Sequence, residues 1–120
     1  MIGRLDDERR ALLEISIANR MDGVPADITA WIDTAFDGHL VLSLQLIKDL
    51  ELEPLADTEA ILADGSKVVL ETYLCFLNWF GQKRPLQVIA NEGRYPLLGT
   101  ALLEDRVLHI DYRQRRVQLD

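Results

Sequence analysis

The sequence predicts a mainly β protein, a closed barrel of about eight short strands with one or two short helices. Three observations predict it. Apolar residues come in short runs or alternate with polar ones, and turn residues separate the runs. Asp64-Gly65 sits between two strand-like runs, a pair suited to a type I′ hairpin turn, where both central residues need positive φ. A helical spacing of apolar residues is clear only once, after Ser43.

The elements follow in order. Residues 1–11 are charge-rich and are expected to be a frayed start or short helix, an extension ahead of a domain over 12–120. Leu13, Ile15 and Ile17 alternate with Glu14 and Ser16, so Leu12 to Ala18 reads as a half-buried strand. Met21-Asp22-Gly23 marks a turn, and Ile28 to Asp33 is the next strand. Leu40 to Leu42 is a short strand; Ser43 then caps a helix over Leu44–Leu50, closed by Pro54. Thr58–Ala63 and Ser66–Thr72 form the hairpin around Asp64-Gly65. Tyr73–Phe80 turns at Gly81-Gln82 and returns through Leu86–Ala90. After the Asn91-Glu92-Gly93 loop come Pro96-Leu97-Leu98-Gly99 and one or two helical turns to Leu103. Val107–Tyr112 and Val117–Leu119 make the last hairpin.

With 120 residues, 48% of them hydrophobic, the chain suffices for one core. A net charge of -7 argues against a nucleic-acid partner, whose binders cluster Lys and Arg. The one basic cluster, Arg113, Arg115 and Arg116, reads as a charged turn. No run reaches the roughly 18 apolar residues of a membrane helix, so no membrane partner is expected. The first residues hold acids and arginines where a secretory leader needs an apolar core, and Cys75 has no second cysteine to pair with. A cytoplasmic location is the expectation. His39 and His109 lack zinc-ligand spacing with Cys75, so no metal site is expected. Cys75, Trp31 and Trp79 read as core residues; Asp37, Asp105 and Asp111 read as turn or surface residues.

The stretch that demands a reason is Asp33-Thr34-Ala35-Phe36-Asp37-Gly38. Asp is depleted in strands and seldom buried without a partner, yet Asp33 leaves an apolar strand into a small-residue turn. Taken alone, Asp33-Thr34 can be a turn cap. Two further features follow it in order: the hairpin tip Leu62-Ala63-Asp64-Gly65-Ser66, and Leu97-Leu98-Gly99 followed by Leu102-Leu103. This ordered set, spread from about Leu12 to Leu119, resembles the retroviral-type (clan AA) aspartic proteases, in particular small prokaryotic members with a DTG-x-x-G motif.

The resemblance implies a retropepsin-like (acid protease) barrel working as a homodimer on a peptide or protein substrate, with no cofactor and no metal. Asp33 would be the catalytic carboxylate, one from each subunit. Thr34 would brace the two loops across the axis, and Ala35 stands where the family usually has glycine. Ala63, Asp64 and Gly65 would be the tip of a flap over the substrate. Leu97, Leu98 and Gly99 would pack beneath the active-site loop. Ala35 is tolerable if its φ is negative and costs stability if it is positive.

The implied chemistry needs one carboxylate as base for a water and one carboxylic acid as proton donor. Two carboxylates a few ångströms apart cannot both ionise cheaply, so such a pair shares one proton and favours acidic to mildly acidic pH. Ile61, Leu62 and Val68 around the tip suggest apolar side chains beside the cleaved bond. Two rivals stand beside this reading: the same fold as a catalytically weak or inactive dimerisation or peptide-binding module, and a generic β-barrel binding domain.

Overall fold

A computed structural model describes residues 1–93 and 95–120. Among these residues the chain forms twelve strands, one α-helix and one 3-10 helix. The strands are β1 (Ile2–Leu5), β2 (Ala11–Ala18), β3 (Ala26–Ile32), β4 (Leu40–Ser43), β5 (Glu53–Pro54) and β6 (Thr58–Ile61). They continue with β7 (Lys67–Leu70), β8 (Thr72–Trp79), β9 (Gln82–Asn91), β10 (Leu97–Leu98), β11 (Leu108–Asp111) and β12 (Arg116–Leu119). The helix α1 (Leu44–Asp49) follows β4 directly, and the 3-10 turn is Thr100–Leu102.

Ten strands share one sheet in the order β11-β12-β1-β2-β3-β10-β4-β9-β8-β5. A further pairing of β2 with β8, Ile17 opposite Leu77, closes six of them into a barrel. The expected closed β-barrel is therefore observed. Closure wraps these strands around one core. That core holds Leu13, Ile15, Leu42, Leu77, Val88 and Leu98, among others. Alternation supplies them: Leu13, Ile15 and Ile17 of β2 point inward, while Glu14 stays exposed. Cys75 and Trp79 are core residues, as expected. No helix among the described residues is long and apolar enough to cross a membrane.

Three local expectations change. Residues 2–5 are neither frayed nor helical; β1 pairs with β12 on one side and β2 on the other. The charges after it form the β1–β2 turn, where the Asp6 carboxylate accepts the Arg10 amide at 2.9 Å and the Arg10 Nε at 2.7 Å. A dense run of charge here marks a tied-down turn. The type I′ turn also lies elsewhere. Phe80 and Gly81 both have positive φ (51° and 83°) and join the paired residues Trp79 and Gln82. At the other hairpin only Gly65 has positive φ, 85°, and Leu62 N–H donates to Ser66 O across a three-residue tip. That is a type I turn closed by a left-handed glycine. Trp31, expected in the core, is 38% exposed.

The helix forms as its sequence predicts. Ser43 Oγ accepts the Leu46 N–H at 3.1 Å, and Ile47 is buried.

Candidate active site

Asp33 is the first residue beyond β3, at the point where the chain leaves the barrel. Its position depends on β10, a two-residue strand inserted between β3 and β4. Leu97 and Leu98 run parallel to Trp31 and Ile32 and antiparallel to Val41 and Leu40. Asp33 N–H donates to Leu98 O at 2.9 Å, extending that pairing to Asp33 itself.

The loop from Asp33 to Gly38 is then clipped from the other side. Gly99 N–H donates to His39 O at 2.8 Å, Thr100 N–H to Phe36 O at 2.8 Å, and Ala101 N–H to Gly38 O at 3.2 Å. The Thr100 hydroxyl reaches the same Phe36 carbonyl at 3.3 Å. Gly99 allows this approach because it has no Cβ: an added methyl would stand 2.2 Å from Gly38 O and 2.6 Å from a Phe36 ring carbon. Thus Leu97, Leu98 and Gly99 lie against the Asp33 loop.

Inside the loop, the Asp33 carboxylate accepts the Ala35 N–H at 2.9 Å through Oδ1. This is an Asx turn. Its Oδ2 has no hydrogen-bond partner among the described residues. Asp33 is half-buried, while Thr34 and Ala35 are exposed. The φ of Ala35 is not positive, so its methyl adds no backbone strain. An exposed hydroxyl beside a half-buried carboxylate offers a hydrogen-bonding surface to a second molecule.

Ala63, Asp64 and Gly65 form the exposed tip of the β6–β7 hairpin, a separate two-stranded sheet. The Asp64 carboxylate accepts the Ser66 N–H at 2.9 Å and the Ser66 hydroxyl at 2.6 Å. These bonds hold its carboxyl below the usual carboxylate range. The hairpin is anchored at its root, where Thr72 Oγ1 donates to Ala56 O at 2.6 Å. No hydrogen bond joins the tip to the Asp33 loop among the described residues. Beside the root lies a groove of about 250 Å³ with Leu44, Val69, Ala90 and Glu92 in its walls.

The apolar trio expected at the tip does not share one face. Ala60 pairs with Val68 and Ile61 with Lys67, so Ile61 and Val68 point to opposite sides of the hairpin. Ile61 is 74% exposed.

One cluster carried no functional reading in the sequence. Trp31, two residues before Asp33 on the same strand face, meets Tyr95 edge-on at 6.4 Å. The Arg10 guanidinium lies 4.4 Å from the Tyr95 ring centroid and 5.7 Å from that of Trp31. Asp6 fixes this guanidinium through the 2.7 Å bond. The three residues are distant in sequence, and only the exposure of Trp31 reveals them.

No protein-family model matches the chain, and no curated protein matches it at a significant level. Solved structures do. The EIAV protease complexed with the inhibitor HBY-793 shares 18% identity at a TM-score of 0.57, covering 83% of this chain and 90% of its own. The simian foamy virus (mac) protease shares 14% identity at a TM-score of 0.52, covering 77% and 92%. The retroviral protease-like domain of Ddi1 from Leishmania major shares 12% identity at a TM-score of 0.49, covering 91% and 88%. The first two establish the fold: this chain is a retropepsin-like barrel.

Proposed function

We propose that this chain is one subunit of a homodimeric aspartic endopeptidase. The observation that carries the reading is the placement of Asp33, a half-buried carboxylate at the end of β3 on a loop clipped by Leu98, Gly99, Thr100 and Ala101. Rigid presentation of this kind suits a catalytic acid, which must be held close to its productive geometry. Each chain supplies one such carboxylate, so a second copy completes the pair about a two-fold axis.

In this dimer one Asp33 is ionised and takes a proton from a water set between the two carboxylates. The water oxygen attacks the scissile carbonyl carbon. The other Asp33 is protonated and gives its proton to the carbonyl oxygen. Collapse of the tetrahedral intermediate breaks the C–N bond as the leaving nitrogen takes the proton that the first Asp33 removed from water, and a hydroxyl of the intermediate returns its proton to the second Asp33 as the new carboxyl group forms. Thr34 braces the two loops across the axis. The β6–β7 hairpin, with Ala63, Asp64 and Gly65 at its tip, closes as a flap and excludes water. Leu97, Leu98 and Gly99 support the loop from beneath. The substrate is a peptide or protein segment in the cytoplasm, and the reaction uses no metal or cofactor.

The test is cleavage of a mixed peptide library across pH, wild type beside Asp33→Asn, with and without pepstatin. Cleavage favoured at acidic to mildly acidic pH is expected. The substitution should lower it by on the order of 10³-fold or more, while the fold survives. Equal cleavage by both proteins, or a rate still rising above neutral pH, removes Asp33 from the chemistry. A folded dimer that cleaves nothing at any pH points instead to a dimerisation or peptide-binding module.

A further inference from the structure

We infer that two copies of this chain join through the outer edge of β11, strand against antiparallel strand, with the two-fold axis at Ile110. The inference rests on the homodimer proposed above, names the surface that forms it, and requires that the axis at Ile110 also pass between the two Asp33 loops.

The ten-stranded sheet has two ends, β11 and β5. β5 is two residues long and contains Pro54, so it makes a poor edge for pairing. At the other end β1 lies between β12 and β2, and β12 lies between β11 and β1. The first and last strands are tied together within the chain: the Met1 nitrogen donates to Leu119 O at 2.6 Å and Leu119 N–H to Met1 O at 2.8 Å. Neither β1 nor β12 has an open side to exchange. β11 has one.

The ladder shows which groups face outward. Val107 and Asp120 exchange both backbone bonds at 3.0 Å. Hydrogen-bonded pairs alternate along an antiparallel ladder, so His109 with Gln118 and Asp111 with Arg116 follow. Leu108 and Ile110 therefore turn their N–H and C=O groups to the open edge. Their side chains are half-buried and pack on the core. His109 and Asp111 occupy the opposite face.

An axis at Ile110 makes this edge complementary to itself. Ile110 meets Ile110 of the second copy in a hydrogen-bonded pair, and Leu108 meets Tyr112, which is 62% exposed in the single chain. On the other face His109 of each copy lies opposite Asp111 of the other, twice per dimer. Moving the axis to His109 would set the two histidines against each other and Asp111 against Val107. The first register pairs apolar with apolar and an imidazole with a carboxylate, and the second does not. The joined sheets run continuously through β1, β12 and β11 of both copies without strand exchange.

The test uses the full chain in sedimentation velocity over a range of concentrations, with oxidative cross-linking. Ile110→Cys should give a disulfide-linked dimer, because paired Cα atoms there fall within disulfide reach. His109→Cys should cross-link far less, and wild type not at all, since Cys75 is buried. The surface change His109→Asp should weaken dimerisation roughly tenfold or more, and His109→Lys should not weaken it. A wild-type dimer that ignores His109→Asp and does not cross-link through Ile110→Cys overturns this interface while leaving the protease reading intact. A wild type that stays monomeric and cleaves nothing overturns both.

Discussion

Asp33 and Asp64 make the same local turn and live in opposite surroundings. Each carboxylate accepts the amide two residues on, at 2.9 Å in both cases. Around Asp33, backbone bonds from Asp33, Gly99, Thr100 and Ala101 tie the loop to segments some sixty residues away in sequence, with Phe36 and Thr100 separated by 64 positions. Around Asp64, the bonds are local: Leu62 with Ser66, Gly65 with Leu62, and Ser66 with Asp64 itself. The same Asx chemistry thus serves a fixed loop in one place and a self-contained hairpin in the other. Local turn propensity shapes a loop, but long-range backbone bonds decide whether it stays still.

The largest effect expected from this contrast is at the two glycines. Gly99→Ala would drive a methyl into Gly38 O and the Phe36 carbonyl oxygen, backbone atoms that cannot swing aside as a flexible side chain could. It should cost about 2–3 kcal/mol and lower the melting temperature clearly in calorimetry. Gly65→Ala meets no atom within 4 Å but holds φ at +85°. Its cost of about 1 kcal/mol falls on the hairpin alone, and the global melting temperature should hardly move. Equal losses at both sites would break the comparison.

A smaller effect should appear in hydrogen exchange. The amides of Asp33, Gly99 and Thr100 should be protected to near the global unfolding energy, and those of Leu62, Gly65 and Ser66 should exchange through local opening. Comparable protection in the two loops would mean that the hairpin is held by more than its root.

The smallest effect is a difference in pH window. Burial, with Arg84 nearby, lowers the pKa of His39 from 6.5. The unfolded chain then takes up that proton first, so the contribution of His39 is intact above about pH 6.5 and is lost as pH falls below it. Asp64 is also held below its ordinary value of 3.8. Its contribution persists through that range and is lost only as pH falls through the lowered value. Amide shifts followed between pH 7 and 5 should therefore move near His39 before they move at the hairpin tip. The reverse order would break the contrast.

Much of the fold was legible in the sequence because it is written in short-range pattern. Period-two alternation marks β2, the Ser43 cap starts α1, and Asx and glycine chemistry places the turns at Asp33 and Asp64. The candidate carboxylate was legible for the same reason: an Asp between an apolar strand and small residues stands out in a linear reading. Leu97-Leu98-Gly99 was legible only as a motif, since nothing local says that two residues will run between β3 and β4.

By itself, then, the sequence determined most of the strands, the helix start and the turns at Asp33 and Asp64, each of which depends on neighbours within a few residues. The tertiary structure alone decided that β1 joins the sheet, that the type I′ turn falls at Phe80-Gly81, and that Trp31 is exposed beside Arg10 and Tyr95. It also decided that β11 is left as an open edge among the described residues. Those outcomes turn on which strands meet and which side chains are left uncovered. Barrel closure sets both through contacts between residues far apart in the chain, which no local pattern records.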